Sequence, residues 1–319
     1  MSAETARPRL GISACLLGRA VRYDGGHKRE PFLADRLVHY VDYLPLCPET
    51  AIGLGSPRLP IQLVGDPDQP RVLGVDNANL DVTEALRDYA RRQLDALTGL
   101  SGCVLKRGSP SCGMGRVKVY DPSRARFTRS GRGAFAQILM QGLPLLPVEE
   151  EDRLRHARLR ENFVARVYVY WRWLGLLAQG PTLERLRAFH LRHRYLLMLH
   201  SRTACRRLDG LLDEPFAGTI EGLTAAYIAG LMRGLRRPVG RARQLWLLHR
   251  ILDHLQGRGE GVAAPGLAAS IEAYGRGEIP LAVPIGLLRL WLRDHPDPSL
   301  QCQHYLDPYP DDLALRDAI

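Results

Sequence analysis

Three cysteines stand out in this 319-residue sequence, because each follows a short apolar run that is typical of a buried strand. They are Cys15, Cys47 and Cys112. The carboxyl ends of parallel strands meet at one edge of an open α/β sheet, and ligands bind at that edge. Three thiolates without a fourth protein ligand suit a [4Fe-4S] cluster that keeps one iron open. The positions therefore allow a metal-cluster site.

A lone cysteine has a second interpretation, as a small buried apolar side chain. Cys103 lies inside an apolar run, and we expect this role for it and for Cys205 and Cys302. None of the six cysteines forms a Cys-x-x-Cys pair, so spacing alone predicts neither a zinc site nor a thioredoxin-like motif. For the first three cysteines both interpretations stay open on this basis.

Polar side chains lie close in sequence to these three cysteines. Glu49 comes two residues after the second, Ser109 and Ser111 shortly precede the third, and Asp24 follows the first. A carboxylate and a hydroxyl beside an open metal position are the groups that orient and deprotonate water. Taken singly, Glu49 is also an ordinary helix N-terminal acid, and the others are ordinary turn residues.

Four short motifs, in this order, carry a resemblance to a known family. They are SACLLG at residues 13–18, VRYDG at 21–25, CPE at 47–49 and SPSCG at 109–113. With this set, about residues 9–150 resemble the thiouracil desulfidase family. The resemblance implies a [4Fe-4S] cluster held by Cys15, Cys47 and Cys112. It also implies that the unligated iron takes the thiocarbonyl sulfur of the substrate, with no net electron transfer.

Roles for the polar side chains follow from the same resemblance. In the family, the carboxylate of the Cys-Pro-Glu motif and a serine of the Ser-Pro-Ser-Cys motif assist the reaction, which implies Glu49 and Ser109 as catalytic residues. Ser111 adjoins the third cysteine and is the alternative serine. We place Ser111 and Asp24 among the substrate-binding candidates, with Asp24 contacting the base edge or a water.

The second half resembles the helical domain that is often fused to this family. The matching stretches are LRENF at residues 159–163, FHLRHR at 189–194, IPLAVP at 279–284 and HPDP at 295–298. The two-part arrangement is similar to that of bacterial tRNA 4-thiouridine desulfidases. The resemblance implies tRNA carrying 4-thiouridine as the substrate, with uridine and sulfide as the products.

The net charge of +10 is concentrated in one part of the chain. Residues 153–250 contain 19 arginines and 6 acidic residues, whereas residues 251–319 have a net charge of −5. A focused positive charge is typical of a polyanion binder, and we expect RNA and not DNA. The predicted RNA-binding side chains are Arg192, Arg194, Arg236, Arg237, Arg241 and Arg243. Solvated helix faces and a codon-driven arginine bias are the alternatives.

The elements that must position these residues differ between the two halves. In residues 1–150, short β-rich runs alternate with helical patterns, which predicts an α/β domain with a mostly parallel sheet. Helices are expected at residues 31–40, 81–97 and 133–141, with Asp81 capping the second, and a hairpin at 61–75. Residues 151–319 are expected to form an all-α domain, with helices at 149–178, 182–202, 219–233, 239–256, 267–275 and 280–293.

The leading prediction is a cytoplasmic, iron–sulfur-dependent desulfidase of 4-thiouridine in tRNA. No apolar run approaches the roughly 20 residues of a membrane span, and residues 1–9 lack the apolar core of a signal peptide. Two alternatives are the same chemistry on a free thiobase such as thiouracil, and a non-catalytic RNA-binding iron–sulfur sensor. The sequence predicts no particular oligomeric state.

Overall fold

The computed structural model describes residues 7–77, 79–214, 216–257 and 266–319. The chain divides into two compact units, Met1–Arg155 and His156–Ile319. The predicted fold class, an α/β region with a mostly parallel sheet followed by a helical region, is confirmed. Within the described part of the chain, every helix is too short or too polar to span a bilayer.

The first unit contains strands in two sheets and three α-helices among its described residues. The strands are β1 (Arg9–Ser13), β2 (Asp42–Leu46), β3 (Ile61–Val64), β4 (Arg71–Gly74), β5 (Gly102–Leu105), β6 (Val117–Tyr120), β7 (Phe127–Gly131) and β8 (Val148–Glu150). The helices are α1 (Pro48–Ala51), α2 (Thr83–Leu97) and α3 (Ala134–Gly142).

Sheet A is parallel throughout and has the strand order β2-β1-β5-β8. Its central strand β1 pairs with both β2 and β5. All four residues of β5 are buried, as are Leu10 and Ile12 of β1. Burial on both faces explains why these strands are continuous apolar runs and do not alternate with polar residues. The parallel arrangement brings the carboxyl ends of the strands to one edge.

Sheet B is mixed and has the order β4-β3-β6-β7. The predicted hairpin is confirmed as the antiparallel pair β3–β4, and a second antiparallel pair, β6–β7, joins it through the parallel contact of β3 with β6. One face packs on α2 through a cluster that includes Leu63, Val72, Leu86 and Val119. The strand β7 has no counterpart in the sequence prediction, because four of its five residues are exposed and form no buried apolar run.

Two helices of the first unit differ from their predictions. Residues 31–40 form a π-helical turn, Phe32–Arg36, and a 3-10 turn, Leu37–His39, in place of one α-helix. The helix α2 begins at Thr83, two residues later than predicted. The Asp81 carboxylate still accepts the N–H of Thr83 at 3.0 Å, but Asp81 lies before the helix, where it forms a β-bridge with Leu73 and an ion pair with Arg71 at 2.7 Å.

The second unit consists of helices in its described parts. They are α4 (Ala157–Ala178), α5 (Leu183–His200), α6 (Arg202–Asp213), α7 (Ile220–Gly234), α8 (Arg241–Gln256), α9 (Leu267–Arg276), α10 (Ala282–Asp294) and α11 (Pro298–Gln301). Aromatic contacts hold its centre, with the buried rings of Trp173, Phe189 and Tyr227 lying 5.5 to 6.2 Å apart.

Two predictions for this unit are wrong in their bounds. The helix expected at 149–178 begins only at Ala157, because Val148–Glu150 pairs with β5 as a strand. The helix expected at 182–202 ends as α5 at His200, and the sequence predicts no helix over residues 203–213, where α6 continues. The helix α6 begins after Ser201, whose side chain accepts the N–H of Ala204 at 3.1 Å and so restarts the chain as a new helix.

Candidate active site

The ends of β1 and β2 bring the first two cysteines to the same edge of sheet A. In the parallel register, Ser13 at the end of β1 is opposite Leu46 at the end of β2. Cys15 lies in the 3-10 turn Ala14–Leu17, and Cys47 is the residue before α1. The two turns therefore leave the sheet beside each other.

The third cysteine reaches this edge through the loop that follows β5. Lys106 donates its N–H to the hydroxyl of Ser13 at 2.9 Å, which joins the start of the loop to the end of β1. The Ser109 hydroxyl then accepts the N–H groups of Ser111 and Cys112, at 3.1 and 3.0 Å. This turn fixes the backbone of Cys112 and buries its thiol.

Gly133 supports the Cys112 loop from the start of α3. Its N–H donates to the carbonyl of Gly113 at 2.8 Å. A Cβ at this position would overlap the carbonyl of Ser111 and would lie 2.8 Å from the nitrogen of Cys112. The close backbone approach therefore requires a residue without a side chain.

A cavity of about 470 Å³ lies where these turns meet. Its lining contains all three predicted cluster ligands and both predicted catalytic residues, namely Cys15, Cys47, Cys112, Glu49 and Ser109. It also contains five basic side chains, Arg22, Lys28, Arg58, Lys106 and Arg107. Four of these lie in ion pairs: Lys106 with Glu151, Arg107 with Asp152, Arg22 with Asp24 at 3.5 Å and Arg58 with Glu49 at 4.0 Å. The structure thus brings together residues that are distant in sequence.

Glu49 is buried at the start of α1 and contacts two other candidates. Its Oε2 lies 3.7 Å from Sγ of Cys47, and the Ser109 hydroxyl donates towards its Oε1 at 3.4 Å. A hydroxyl has one donor and two acceptor positions, so Ser109 can hold the loop and Glu49 together. A carboxylate in this position can exchange a proton with a water in the cavity.

Without a bound metal, the three thiols favour their protonated form. Burial raises the pKa of Cys15 to about 11. Burial, with Glu49 adding to it, also raises the pKa of Cys47 and raises that of Cys112 well above its usual value. Such thiols are poor nucleophiles, but a bound metal deprotonates its thiol ligands. Three soft sulfur donors facing one cavity therefore fit an iron–sulfur cluster.

The two predicted substrate-binding residues lie outside the cavity lining. Asp24 is 46% exposed, accepts the N–H of Gly26 at 3.1 Å and lies 3.5 Å from Arg22, as in an ordinary turn. Ser111 is fully buried, and its Oγ has no hydrogen-bond partner among the described residues. Of the two serines, only Ser109 meets both the cavity and Glu49.

Arg58 is a cavity residue that no sequence motif marks. Its Nη1 donates to the carbonyls of Val21 and Gly55, both at 2.8 Å, and its Nη2 lies 4.0 Å from Oε1 of Glu49. It therefore joins the segment after the first cysteine to the segment after α1. The one signal in the sequence is an isolated basic residue among glycines and prolines.

A second group of metal-binding side-chain types lies in the helical unit. Ligand atoms of His190, Cys205 and Asp209 all lie within 4.8 Å of one another. However, Arg194 donates to both carboxylate oxygens of Asp209, at 2.9 and 3.0 Å, and His190 lies 2.9 Å from the same group. Burial opposes the charge, but these hydrogen bonds lower the pKa of Asp209 to about 2. The carboxylate is thus already compensated by an arginine.

The six predicted RNA-binding arginines fall into two sets. Three engage groups of the protein: Arg194 pairs with Asp209, Arg241 lies 5.5 Å from the ring centre of Tyr274, and Arg243 donates to the carbonyl of His200. The other three, Arg192, Arg236 and Arg237, are exposed. Arg236 and Arg237 lie in the connection between α7 and α8.

Comparison with known proteins separates the same two parts of the chain. The family model described as 2-thiouracil desulfurase matches residues 10–151. A second model, described as a protein of unknown function (DUF1722), matches residues 194–310.

Two curated proteins and one solved structure are similar to the chain. The uncharacterized protein YbbK of Bacillus subtilis is 30% identical over 136 residues, which is 41% of this chain and 88% of that protein. The uncharacterized protein YbgA of Escherichia coli is 23% identical over 160 residues, 50% of this chain and 95% of that protein. The structure of a [4Fe-4S]-dependent thiouracil desulfidase, TudS, is 33% identical with a TM-score of 0.37, and the match covers 47% of this chain and 94% of TudS. Through its first unit, the chain belongs to the 2-thiouracil desulfurase family.

Proposed function

We propose that this protein is a desulfidase that removes sulfur from a thiolated pyrimidine base. The free base, such as thiouracil, is the substrate class that the family match supports. One observation carries the proposal: Cys15, Cys47 and Cys112 line the same cavity as Glu49 and Ser109. The matched relative TudS depends on a [4Fe-4S] cluster, and we assign such a cluster to these three cysteines.

The cluster, when bound, would supply an iron with an open position for the soft thiocarbonyl sulfur of the substrate. The carbon that bears the sulfur would then be open to attack by water. Glu49 is the residue to take the proton of that water, because its carboxylate is buried beside Cys47 and its basic neighbour Arg58 lies 4.0 Å away, beyond hydrogen-bond distance. Ser109 would orient the carboxylate through its hydroxyl. The cavity of about 470 Å³ is large enough for a pyrimidine.

The test is turnover by the anaerobically reconstituted full-length protein. Thiouracil is supplied, and both released sulfide and loss of the thiocarbonyl absorbance are measured. We expect both signals together, in equal amounts, since water replaces sulfur without electron transfer. A protein with a full complement of iron that releases no sulfide from any thiolated substrate would contradict the proposal. If that protein binds RNA instead, it is the non-catalytic sensor.

The second candidate substrate is 4-thiouridine within tRNA. The observation that favours it is charge, since residues 153–250 carry a net +13 and Arg236 and Arg237 are exposed there. In the cavity itself, Lys28 would meet negative charge on a nucleotide but has no partner on a free base. A thiouridine in folded RNA would also have to leave its stack to reach the cavity.

A direct competition separates the two substrates. Thiolated tRNA and thiouracil are supplied to the same enzyme, and kcat/KM is measured for each at low and high salt. A free-base enzyme should prefer thiouracil and respond little to salt. A tRNA enzyme should prefer the RNA and lose activity steeply as salt rises, because phosphate contacts are screened.

A further inference from the structure

The β6–β7 hairpin carries the excess positive charge of the first unit. Residues 116–132 contain six basic residues and a single acid, Asp121, whereas the remainder of residues 1–150 has a net charge of −1. The six are Arg116, Lys118, Arg124, Arg126, Arg129 and Arg132. All except the half-buried Arg124 are exposed. Among the described residues, none of the six forms an ion pair.

One face of this hairpin combines aromatic rings with cations. Val117 and Val119 are buried in the core cluster, so the alternation of a strand places Lys118 and Tyr120 on the opposite face. There the ring of Phe127 lies 5.5 Å from that of Tyr120. The Lys118 ammonium lies 4.4 Å from the centre of the Phe127 ring, and the Arg129 guanidinium lies 5.6 Å from it.

Protection of the sheet edge does not explain this composition. Charged residues on an edge strand do oppose pairing with another chain. An exposed aromatic ring has the reverse effect, and Phe127 is 45% exposed on the edge strand β7. Aromatic rings flanked by cations on a sheet face are the arrangement with which proteins bind single-stranded nucleic acids, since bases stack on the rings and cations meet the phosphates.

We propose that this face binds a single-stranded segment of RNA, with Phe127 stacking on a base and Lys118 and Arg129 contacting phosphates. The proposal rests on the second candidate substrate above, in which the thiolated base is part of RNA. The hairpin leaves the Cys112 loop at Val117 and returns to it, since Gly133, two residues after β7, is bonded to Gly113. RNA held on the hairpin would thus be held by the same segment that supplies the third cysteine.

The test is binding of unmodified RNA, so that failure of desulfidation does not affect it. The anisotropy of a fluorescein-labelled oligouridylate of about 12 nucleotides is measured with the full-length protein. Phe127→Ala should weaken binding about fivefold or more, and Phe127→Tyr should keep wild-type affinity. The pair Lys118→Ala with Arg129→Ala should weaken binding and reduce the salt slope by about 1.4.

The matched control is Arg91→Ala with Arg92→Ala, which removes two exposed charges from α2 in the same unit. It should bind the oligonucleotide as the wild type does. Equal affinity of the control and the hairpin variants would overturn the proposal. Loss of affinity in the charge variant but not in Phe127→Ala would also overturn it, because it would show a polyanion surface without base stacking.

Discussion

At the scale of single residues, the site depends on which thiols face the cavity and which do not. Cys103 lies in β5 of the same sheet and is completely buried, and burial raises the pKa of its thiol to about 12. Its Sγ would contact a Cβ placed at Gly11, within the sheet interior. The sequence prediction of a packing role for Cys103 agrees with this position.

Substitution of Cys15, Cys47 or Cys112 by Ser should therefore abolish cluster incorporation, because each removes one of three ligands. Cys103→Ala should keep the cluster and lower the free energy of unfolding by about 1–2 kcal/mol, through loss of buried contacts. Iron and sulfide content after anaerobic reconstitution measures the first effect, and urea denaturation the second. An intact cluster in any of the three ligand variants would refute the assignment.

Glu49→Gln should retain the cluster and lower kcat by about 10²- to 10⁴-fold, because the amide cannot accept the proton of water. Gln keeps the size of the side chain and can still accept the hydrogen bond of Ser109. Iron content and single-turnover sulfide release should be measured on the same sample. Normal turnover with the amide would show that another group takes the proton.

At the scale of the elements, the Cys112 loop is positioned by a backbone contact that no side-chain motif reveals. Gly133→Ala should displace this loop, because the added methyl group overlaps the carbonyl of Ser111. The φ and ψ of Gly133, −64° and 143°, suit alanine, so the cost is steric and about 1–3 kcal/mol. Reduced iron content and a lower unfolding midpoint are expected.

The control for this prediction is Gly115→Ala, in the same segment. A Cβ at Gly115 would have no atom within 4 Å, so this variant should load iron and unfold as the wild type does. If both alanine variants behaved alike, contact with the loop could not be the cause.

The helices α5 and α8 meet at a buried histidine, which makes the stability of the helical unit depend on pH. Burial lowers the pKa of His200 to about 4, and Arg166 and Arg243 add to the effect. The neutral ring donates from Nδ1 to the carbonyl of Arg237 at 2.8 Å. In the unfolded chain the ring ionises near its ordinary pKa of 6.5, so unfolding takes up a proton at intermediate pH.

Stability should therefore be complete above about pH 6.5 and should fall as pH drops towards 4. The amide of His200→Asn can still donate a hydrogen bond but does not titrate. Between about pH 6.5 and 4, the free energy of unfolding of this variant should fall by about 2–3 kcal/mol less than that of the wild type. All four tryptophans lie in the helical unit, so their fluorescence during urea unfolding reports on it. Parallel pH profiles for the two proteins would contradict the role given to His200.

The sequence predicts those elements in which local pattern and tertiary packing agree. The strand that precedes Cys15 is apolar because it is buried in a parallel sheet, and the half-buried strand that precedes Cys47 is predicted from the apolar run that ends at Leu46. The strand β8 and the turn at 31–40 were not, because pairing with β5 and local packing override helical patterns there. Arg58 escaped prediction for a related reason, since its partners are backbone carbonyls that leave no trace in the sequence.

At the scale of the whole molecule, the positive charge is concentrated in residues 153–250. If RNA is the substrate, these charges should make RNA binding depend on salt concentration. Arg236→Ala with Arg237→Ala removes two exposed charges from the α7–α8 connection. Binding of tRNA should weaken, and its salt slope should fall by about 2. Turnover of free thiouracil should not change, since these residues do not line the cavity.

Fluorescence anisotropy of labelled tRNA over a salt series measures this effect. The control is Arg276→Ala with Arg293→Ala, which removes two exposed arginines from the acidic segment 251–319. Equal salt slopes for the wild type and both double variants would show that the α7–α8 connection does not contact RNA.

The central position of β1 in sheet A also sets an order of events during synthesis. β1 is complete when residue 13 leaves the ribosome, but its neighbour β5 and the Cys112 loop follow roughly 90 residues later. At a translation rate of about 5–20 residues per second, the first two thiols wait for seconds before the third exists. A cofactor that needs all three can be inserted only after the Cys112 loop has left the ribosome. Ribosome-bound chains that end before Cys112 should therefore stay colourless.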